Sequence, residues 1–581
     1  MRLAAGKFKF MRIFPSVALG AAALLSGCAT APTQVPQPAQ QQPLAQVRLD
    51  SDDTVSRTLT QALSGEFALD RGDVATASHA WADVAELSND PRAAERSAQL
   101  ALAGGDRQGA AQAIERMQAA GADPAAVLRE HARLALLKGH RDEARDDLRQ
   151  MLEPGSRDAW GEVAQLLSSA RDPALAGTLL EELATPADLP QDDASIWVAM
   201  SQLATKLQRH RYAEQIADAA VARFDNVTSL AWAAHMKLEN GNAESGKALF
   251  RRALEREPDN RSLRFAFGSA LGKLGENKAA AALLAQGPQD LDTFTARAAF
   301  SARADDDAAL RRIYDELERA APSIGDAASF LLGQLADARD DAGAAIGWYA
   351  RVPEDDEHYF DASARRAVLL SRQGGEQVTE AHALTARLVQ DSEGDEEALA
   401  RALLLDAQIY TSAGDTAGAI AAYDRALARL PDTPELLYGR ALSLADAGRA
   451  DASIADLRAL LKLQPDDVDA MNALGYTLAD GNRQLDEAEA LLRRALAAKP
   501  DEPAVIDSWG WLQYRQGRLD EAEVQLRRAW DAQKDPDIGA HLGEVLWRLG
   551  KHDEARAIFA AVEELDPGSS VLQQTLQRLE P

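Results

Sequence analysis

Residues 485–523 read LDEAEALLRRALAAKPDEPAVIDSWGWLQYRQGRLDEAE. Inside this stretch Ala488, Leu492, Ala495 and Pro500 follow one another at spacings of 4, 3 and 5 residues. Ala419-Tyr423-Ala426-Pro431, Ser453-Leu457-Leu460-Pro465 and Ala555-Phe559-Val562-Pro567 repeat that word. A small residue precedes each copy by 12 or 13 positions: Ala407, Ala441, Gly475 and Gly543, with Gly510 leading Ala522, Leu526 and Ala529. The prolines Pro431, Pro465, Pro500 and Pro567 therefore fall 34, 35 and 67 residues apart. Spacings of three and four place the apolar residues on one helical stripe. Two such helices approach closely where each carries a small residue, the larger side chains fill the space beyond, and proline ends the second helix.

This period and residue pattern resembles the tetratricopeptide repeat. Fainter copies run upstream as Ala234, Gly246, Phe250, Ala253 and Pro258, as Gly268, Ala280 and Leu284, and as Ala132, Ala144 and Leu148. One helical hairpin cannot bury its own apolar face, so hairpins must stack. At this spacing the chain between Thr54 and Pro567 accommodates roughly fifteen hairpins. The expectation is an all-α, right-handed α-solenoid, degenerate over residues 54–358 and regular over 359–581. Aromatic residues are only 5% of the chain, and no stretch shows the alternation of a half-buried strand.

The first residues carry an address. Arg2, Lys7, Lys9 and Arg12 precede an apolar run from Ile13 to Leu25 that ends in Leu25-Ser26-Gly27-Cys28. Residues 1–27 read as a signal peptide, and the tetrapeptide is similar to the bacterial lipoprotein box, whose cysteine is acylated and becomes the mature N-terminus. Cys28, the only cysteine, is the expected lipidation site. The resemblance implies sorting to the outer membrane, because Ala29 stands where an inner-membrane retention signal would place Asp. Residues 28–53 are rich in Pro and Gln and read as a disordered tether.

Lys plus Arg number 63 and Asp plus Glu 91, a formal charge of −28. Nucleic acid and anionic bilayers repel such a chain. Nucleotide-binding, zinc-protease and nucleophile-elbow motifs are absent, and the nine histidines, His541 among them, are scattered singly. Asp305-Asp306-Asp307 and Glu354-Asp355-Asp356-Glu357 lack the alternating ligands of a calcium loop and suit helix starts instead. The reading is a non-enzyme with no cofactor and no metal.

The aromatic residues point to binding. Trp509 directly precedes Gly510 and is expected in the helix-pair core. Trp511, Tyr514 and Arg515 lie on a different face at 100° per residue, and Trp547 and Arg548 repeat the placement after Gly543. In tetratricopeptide repeats that face lines the concave groove. Asn472, Tyr476, Trp511, Tyr514, Arg515, Glu544, Trp547 and Arg548 thus form a candidate partner-binding ladder. A carboxylate clamp of the chaperone-binding kind is unsuited, since the matching places carry Asn472, Tyr476, Ser508, Asp537 and His541.

Residues 469–556 resemble the C-terminal part of large tetratricopeptide lipoproteins of Gram-negative bacteria, on the segments DAMNALGYTLAD, LDEAEALLRRALAAKPDEPAVIDSWGWLQYRQGRLDEAE and GAHLGEVLWRLGKHDEA. That family includes an outer-membrane adaptor of a periplasmic carboxyl-terminal processing protease that acts on peptidoglycan hydrolases. The resemblance implies a lipid-anchored periplasmic adaptor whose partners are the protease and its substrates. The alternative is an assembly scaffold for a secretion, pilus or exopolysaccharide apparatus.

Overall fold

The computed structural model describes residues 53–153 and 156–579. The signal peptide, Cys28 and the Pro/Gln-rich stretch up to residue 52 lie outside the described residues. Among the described residues all regular structure is helical, with 31 α-helices joined by short turns. Sequence neighbours pair as antiparallel hairpins, and the odd helix, α31 (Ser570–Leu579), closes the series. The fold is an α-solenoid. No described helix is long and apolar enough to cross a membrane.

Local chemistry sets the helix limits. Asp90-Pro91, Asp123-Pro124, Asp172-Pro173 and Asp535-Pro536 each supply an aspartate N-cap followed by proline in the first turn. The aspartate accepts an amide that the helix leaves unpaired, and proline there sacrifices no hydrogen bond. Pro536 accordingly starts a helix rather than closing one, which is why it falls out of step with the other repeat prolines. Pro431, Pro465, Pro500 and Pro567 instead follow the C-caps Leu430, Gln464, Lys499 and Asp566. The acidic triplet behaves as its sequence suggests, with Asp306 capping a helix by accepting from the Ala309 amide at 2.9 Å. The additional residue of the Gly481–Gln484 turn is accommodated by left-handed Asn482 and Gln484, with φ of 49° and 48°.

The repeated word does the packing expected of it. A Cβ added to Gly475 would lie 2.5 Å from Leu492, one on Gly510 2.8 Å from Leu526, and one on Gly543 2.2 Å from Phe559. Each small residue thus faces the large residue of its own copy, and Ala488, Ala522 and Ala555 beside them are wholly buried.

The described residues form two compact units, 53–289 and 290–579. In the first, a core runs from Ala132 to Met236 and another surrounds Ile114 and Met117. In the second, one core joins Phe294 to Leu369, a second Leu399 to Leu512 and a third Ile506 to Leu572. The core from Phe294 to Leu369 passes straight through residues 358–359, where the repeat signature weakens.

Candidate functional site

The candidate ladder occupies three consecutive first helices of the second unit: α25 (Val468–Asp480), α27 (Pro503–Arg515) and α29 (Pro536–Arg548). Stacking hairpins brings these helices side by side, with α31 packed on α29 beyond them. Residues about one period apart therefore meet across helices.

Trp511 is 1% exposed while Trp509 is only partly buried, so the two tryptophans exchange their expected places. The position after the crossing glycine looks open on an isolated hairpin, but the neighbouring first helices cover it. The Trp511 indole Nε1 donates to Asp480 Oδ1 at 3.2 Å, and its ring stacks on His541 at 4.1 Å between centroids. Tyr514 leans on it at 4.9 Å, and the Arg515 guanidinium lies 5.9 Å from its centroid.

His541, on α29, organises the floor beneath. Its Nδ1 lies 3.0 Å from one oxygen of the buried Asp507 carboxylate, on α27, and donates to it. Its Nε2 stands 3.3 Å from the Tyr476 hydroxyl, on α25. One imidazole thus ties three helices together. Burial alone would depress its ionisation, but the charge and hydrogen bond of Asp507, with the charges of Asp537 and Asp480, outweigh burial and raise it above the usual histidine range. Burial, reinforced by the same aspartates, holds the Tyr476 hydroxyl well above the usual phenol range.

A second connection runs outward from this floor. The Tyr514 hydroxyl donates to Glu544 Oε1 at 2.9 Å, and Arg578 of α31 donates to Glu544 Oε2 at 2.7 Å. Glu544 is 2% exposed. Burial and then the Glu544 charge raise the Tyr514 pKa.

The structure thus brings Tyr476, Trp511, Tyr514, Arg515 and Glu544 together, with Trp511 and Glu544 as interior members rather than open anchors. Asn472 is also buried, and its Oδ1 finds no hydrogen-bond partner among the described residues. Tyr476, Tyr514, Arg515 and Trp547 are half-buried, and Arg548 is exposed. Trp547 stands apart, edge-on to His552 at 4.3 Å and 5.7 Å from the Arg556 guanidinium, both on α30 (His552–Leu565). The ladder expected from the sequence leaves out Asp480, Asp507, His541 and Arg578. The signal that finds them is spacing, since Asp507 and His541, like Glu544 and Arg578, are 34 residues apart. Among the described residues no group of three His, Cys, Asp or Glu side chains could hold a metal ion.

Comparison with known proteins finds similarity to repeat proteins. Family models described as Tetratricopeptide repeat match residues 404–457, 438–503 and 513–579. A TPR repeat-containing protein of Pseudomonas aeruginosa is 29% identical over 254 residues, 44% of this chain and 42% of its own length. The chain thus spans less than half of that curated relative. Among solved structures, a tetratricopeptide repeat protein from Parabacteroides merdae is 16% identical, covering 46% of this chain and 99% of its own, with a TM-score of 0.35. A TPR protein of Thermus thermophilus is 22% identical, covering 31% and 98%, with a TM-score of 0.29. Residues 404–503 and 513–579 thus match the tetratricopeptide repeat, within the C-terminal stretch of an α-solenoid.

Proposed function

We propose that this chain is a lipid-anchored scaffold of the bacterial periplasm that binds another protein along the first helices of its last hairpins. The partner we favour is a carboxyl-terminal processing protease, brought to peptidoglycan-hydrolase substrates. One observation carries the binding role: partly exposed aromatic and arginine side chains stand on a floor already locked by buried hydrogen bonds. Aromatic residues and arginine are the usual anchors of protein interfaces. A fixed floor leaves little to be ordered on binding, so more of the contact energy appears as affinity. The protease and the membrane anchor rest on the sequence resemblance of residues 469–556 and on the lipoprotein box.

Trp547→Ala combined with Arg548→Ala is expected to weaken capture of one periplasmic protein by about 30-fold or more, the loss that accompanies removal of an interface anchor. Melting should change little, because neither residue belongs to the fully buried core. Equal capture, with equal stimulation of a co-purifying protease, would remove these hairpins as the recognition surface. Cys28→Ser should release the chain from the outer-membrane fraction and abolish fatty-acid labelling. Unaltered labelling and fractionation would sink the anchor.

A further inference from the structure

Between Arg483 and Arg578 every described lysine and arginine has a carboxylate oxygen within 4.0 Å, with two exceptions, Arg515 and Arg548. The exceptions share one place in the fold. Each is the last residue of its helix, α27 and α29, and they stand 33 residues apart, so stacking sets them side by side on neighbouring first helices. Arg515 lies 5.9 Å from the Trp511 ring centroid, and Arg548 follows Trp547 and lies beside the Tyr514 hydroxyl. The acids of the floor are engaged with other groups: Asp480 accepts from Trp511, Asp507 from His541, and Glu544 from Tyr514 and Arg578. Asp537 stands in the first turn of α29, eleven residues before Arg548, which is about 16 Å away at 1.5 Å per residue. The carboxyl ends of α27 and α29 therefore present two guanidinium groups that the chain itself leaves without a counter-charge.

We infer that this end of the groove takes an extended acidic segment of the partner protein, with one side-chain carboxylate on Arg515, a second on Arg548, and an apolar residue between them against Tyr514 and Trp547. The inference rests on the reading of this groove as the partner surface, and it names the chemistry that the surface selects. A guanidinium offers a planar fork of donors that matches a carboxylate, and such charge-assisted pairs are the strong ones. Packed helices lie about 8–10 Å apart. In an extended chain, carboxylates two or three residues apart are separated by about 7–10 Å, so one short segment reaches both arginines. A pair of carboxylates at that spacing belongs to acidic side chains, since a chain has a single terminus. The formal charge of −28 opposes an acidic partner at a distance. That field is screened beyond about 8 Å at physiological salt, and at contact the two guanidinium groups face the ligand directly. Distant repulsion combined with local attraction favours a segment that places its acids on these two arginines over one that is merely acidic.

The test selects phage-displayed random peptides on the full-length chain carrying Cys28→Ser and discards those that bind equally well to the same chain with Trp547→Ala. The peptides that depend on Trp547 should carry two acidic residues two or three positions apart around an apolar one. With a selected peptide made in fluorescein-labelled form, anisotropy should show Arg515→Gln and Arg548→Gln each weakening binding by about tenfold or more, the loss that accompanies one charge-assisted contact. Melting should stay in place, because neither arginine has an ion pair to lose. Arg515→Glu should abolish binding, and a peptide with lysine in place of one acid should restore it. Amidating the peptide's carboxyl terminus should change nothing. Trp547-dependent peptides that lack the acidic pair, or that bind both glutamine variants undiminished, overturn the acidic segment while leaving the groove a binding surface. Binding that needs a free carboxyl terminus overturns the side-chain source. A selection with no peptide dependent on Trp547 removes the groove itself as the partner surface, and the inference falls with it.

Discussion

Trp511→Ala is expected to destabilise the C-terminal hairpins by about 3–5 kcal/mol, the cost of cutting a fully buried tryptophan to a methyl group. The ring fills the space between α25, α27 and α29. Its loss removes the stack on His541 and the contact with Tyr514, and it leaves Asp480 without the indole donor. Cavity and lost contacts act together, because the three helices are each held by their own hairpins and cannot collapse fully into the gap. The damage should remain local, since stability in a stacked array is a sum of hairpin and nearest-neighbour terms. Hydrogen exchange is therefore the measurement: protection should fall across residues 468–548 and hold in the hairpins before residue 290. Trp509→Ala is the control and should cost less, as that ring is only partly buried. A Trp511→Ala chain with unchanged protection at α25 to α29 would show that the ring is not structural.

The contrast between the two tryptophans shows what could be read before the structure and what could not. The pattern of Ala488, Leu492, Ala495 and Pro500 is a contact rule within one hairpin, and within-hairpin contacts lie close in sequence. The small residue, its large partner and the terminating proline could thus be assigned directly, down to Gly543 against Phe559. Whether a side chain on the outer face of that hairpin is open depends on its neighbour, and a neighbour's contribution arrives about 30–34 residues later. Its own hairpin leaves Trp511 uncovered, while Asp480 and His541 cover it from 31 residues before and 30 after. The same distance hid the role of His541, which on its own helix is one more isolated histidine. Comparing groove positions one period apart would have paired Asp507 with His541 and Glu544 with Arg578. In the first unit the same spacing links Arg129 to Glu95, 34 residues earlier, at 2.8 Å. The helix-level fold is therefore a local property of this chain, and the floor of its candidate site a property of the period.

Asp507→Ala is expected to cost about 3–5 kcal/mol, because it removes one partner of a buried ion pair and leaves the other in a place that solvent cannot reach. Asp507→Asn should cost less, since the amide keeps an acceptor for His541 Nδ1 while losing the charge. The two substitutions also separate packing from electrostatics through their pH dependence. In the native chain burial disfavours the imidazolium, but Asp507, Asp537 and Asp480 outweigh it and raise the pKa of His541. A group whose folded pKa is raised stabilises most below its unfolded value, about 6.5 for histidine, and that contribution disappears as pH climbs through the folded value. Protection of α27, α29 and α31 should therefore be greatest at mildly acid pH and decline on the alkaline side. The hydrogen bond to Tyr476 changes sense over the same interval: the imidazolium donates from Nε2 to the phenol oxygen, while the neutral ring accepts from the phenol hydroxyl. With Asn at 507 the strongest counter-charge is gone, burial gains weight, and the alkaline decline should flatten. The ring-proton shifts of His541 followed by NMR give its titration directly, and amide exchange at several pH values gives the stability. A His541 that titrates below the ordinary histidine range, or an Asp507→Asn chain with the native pH slope, would mean that the buried pair does not control the stability of these hairpins.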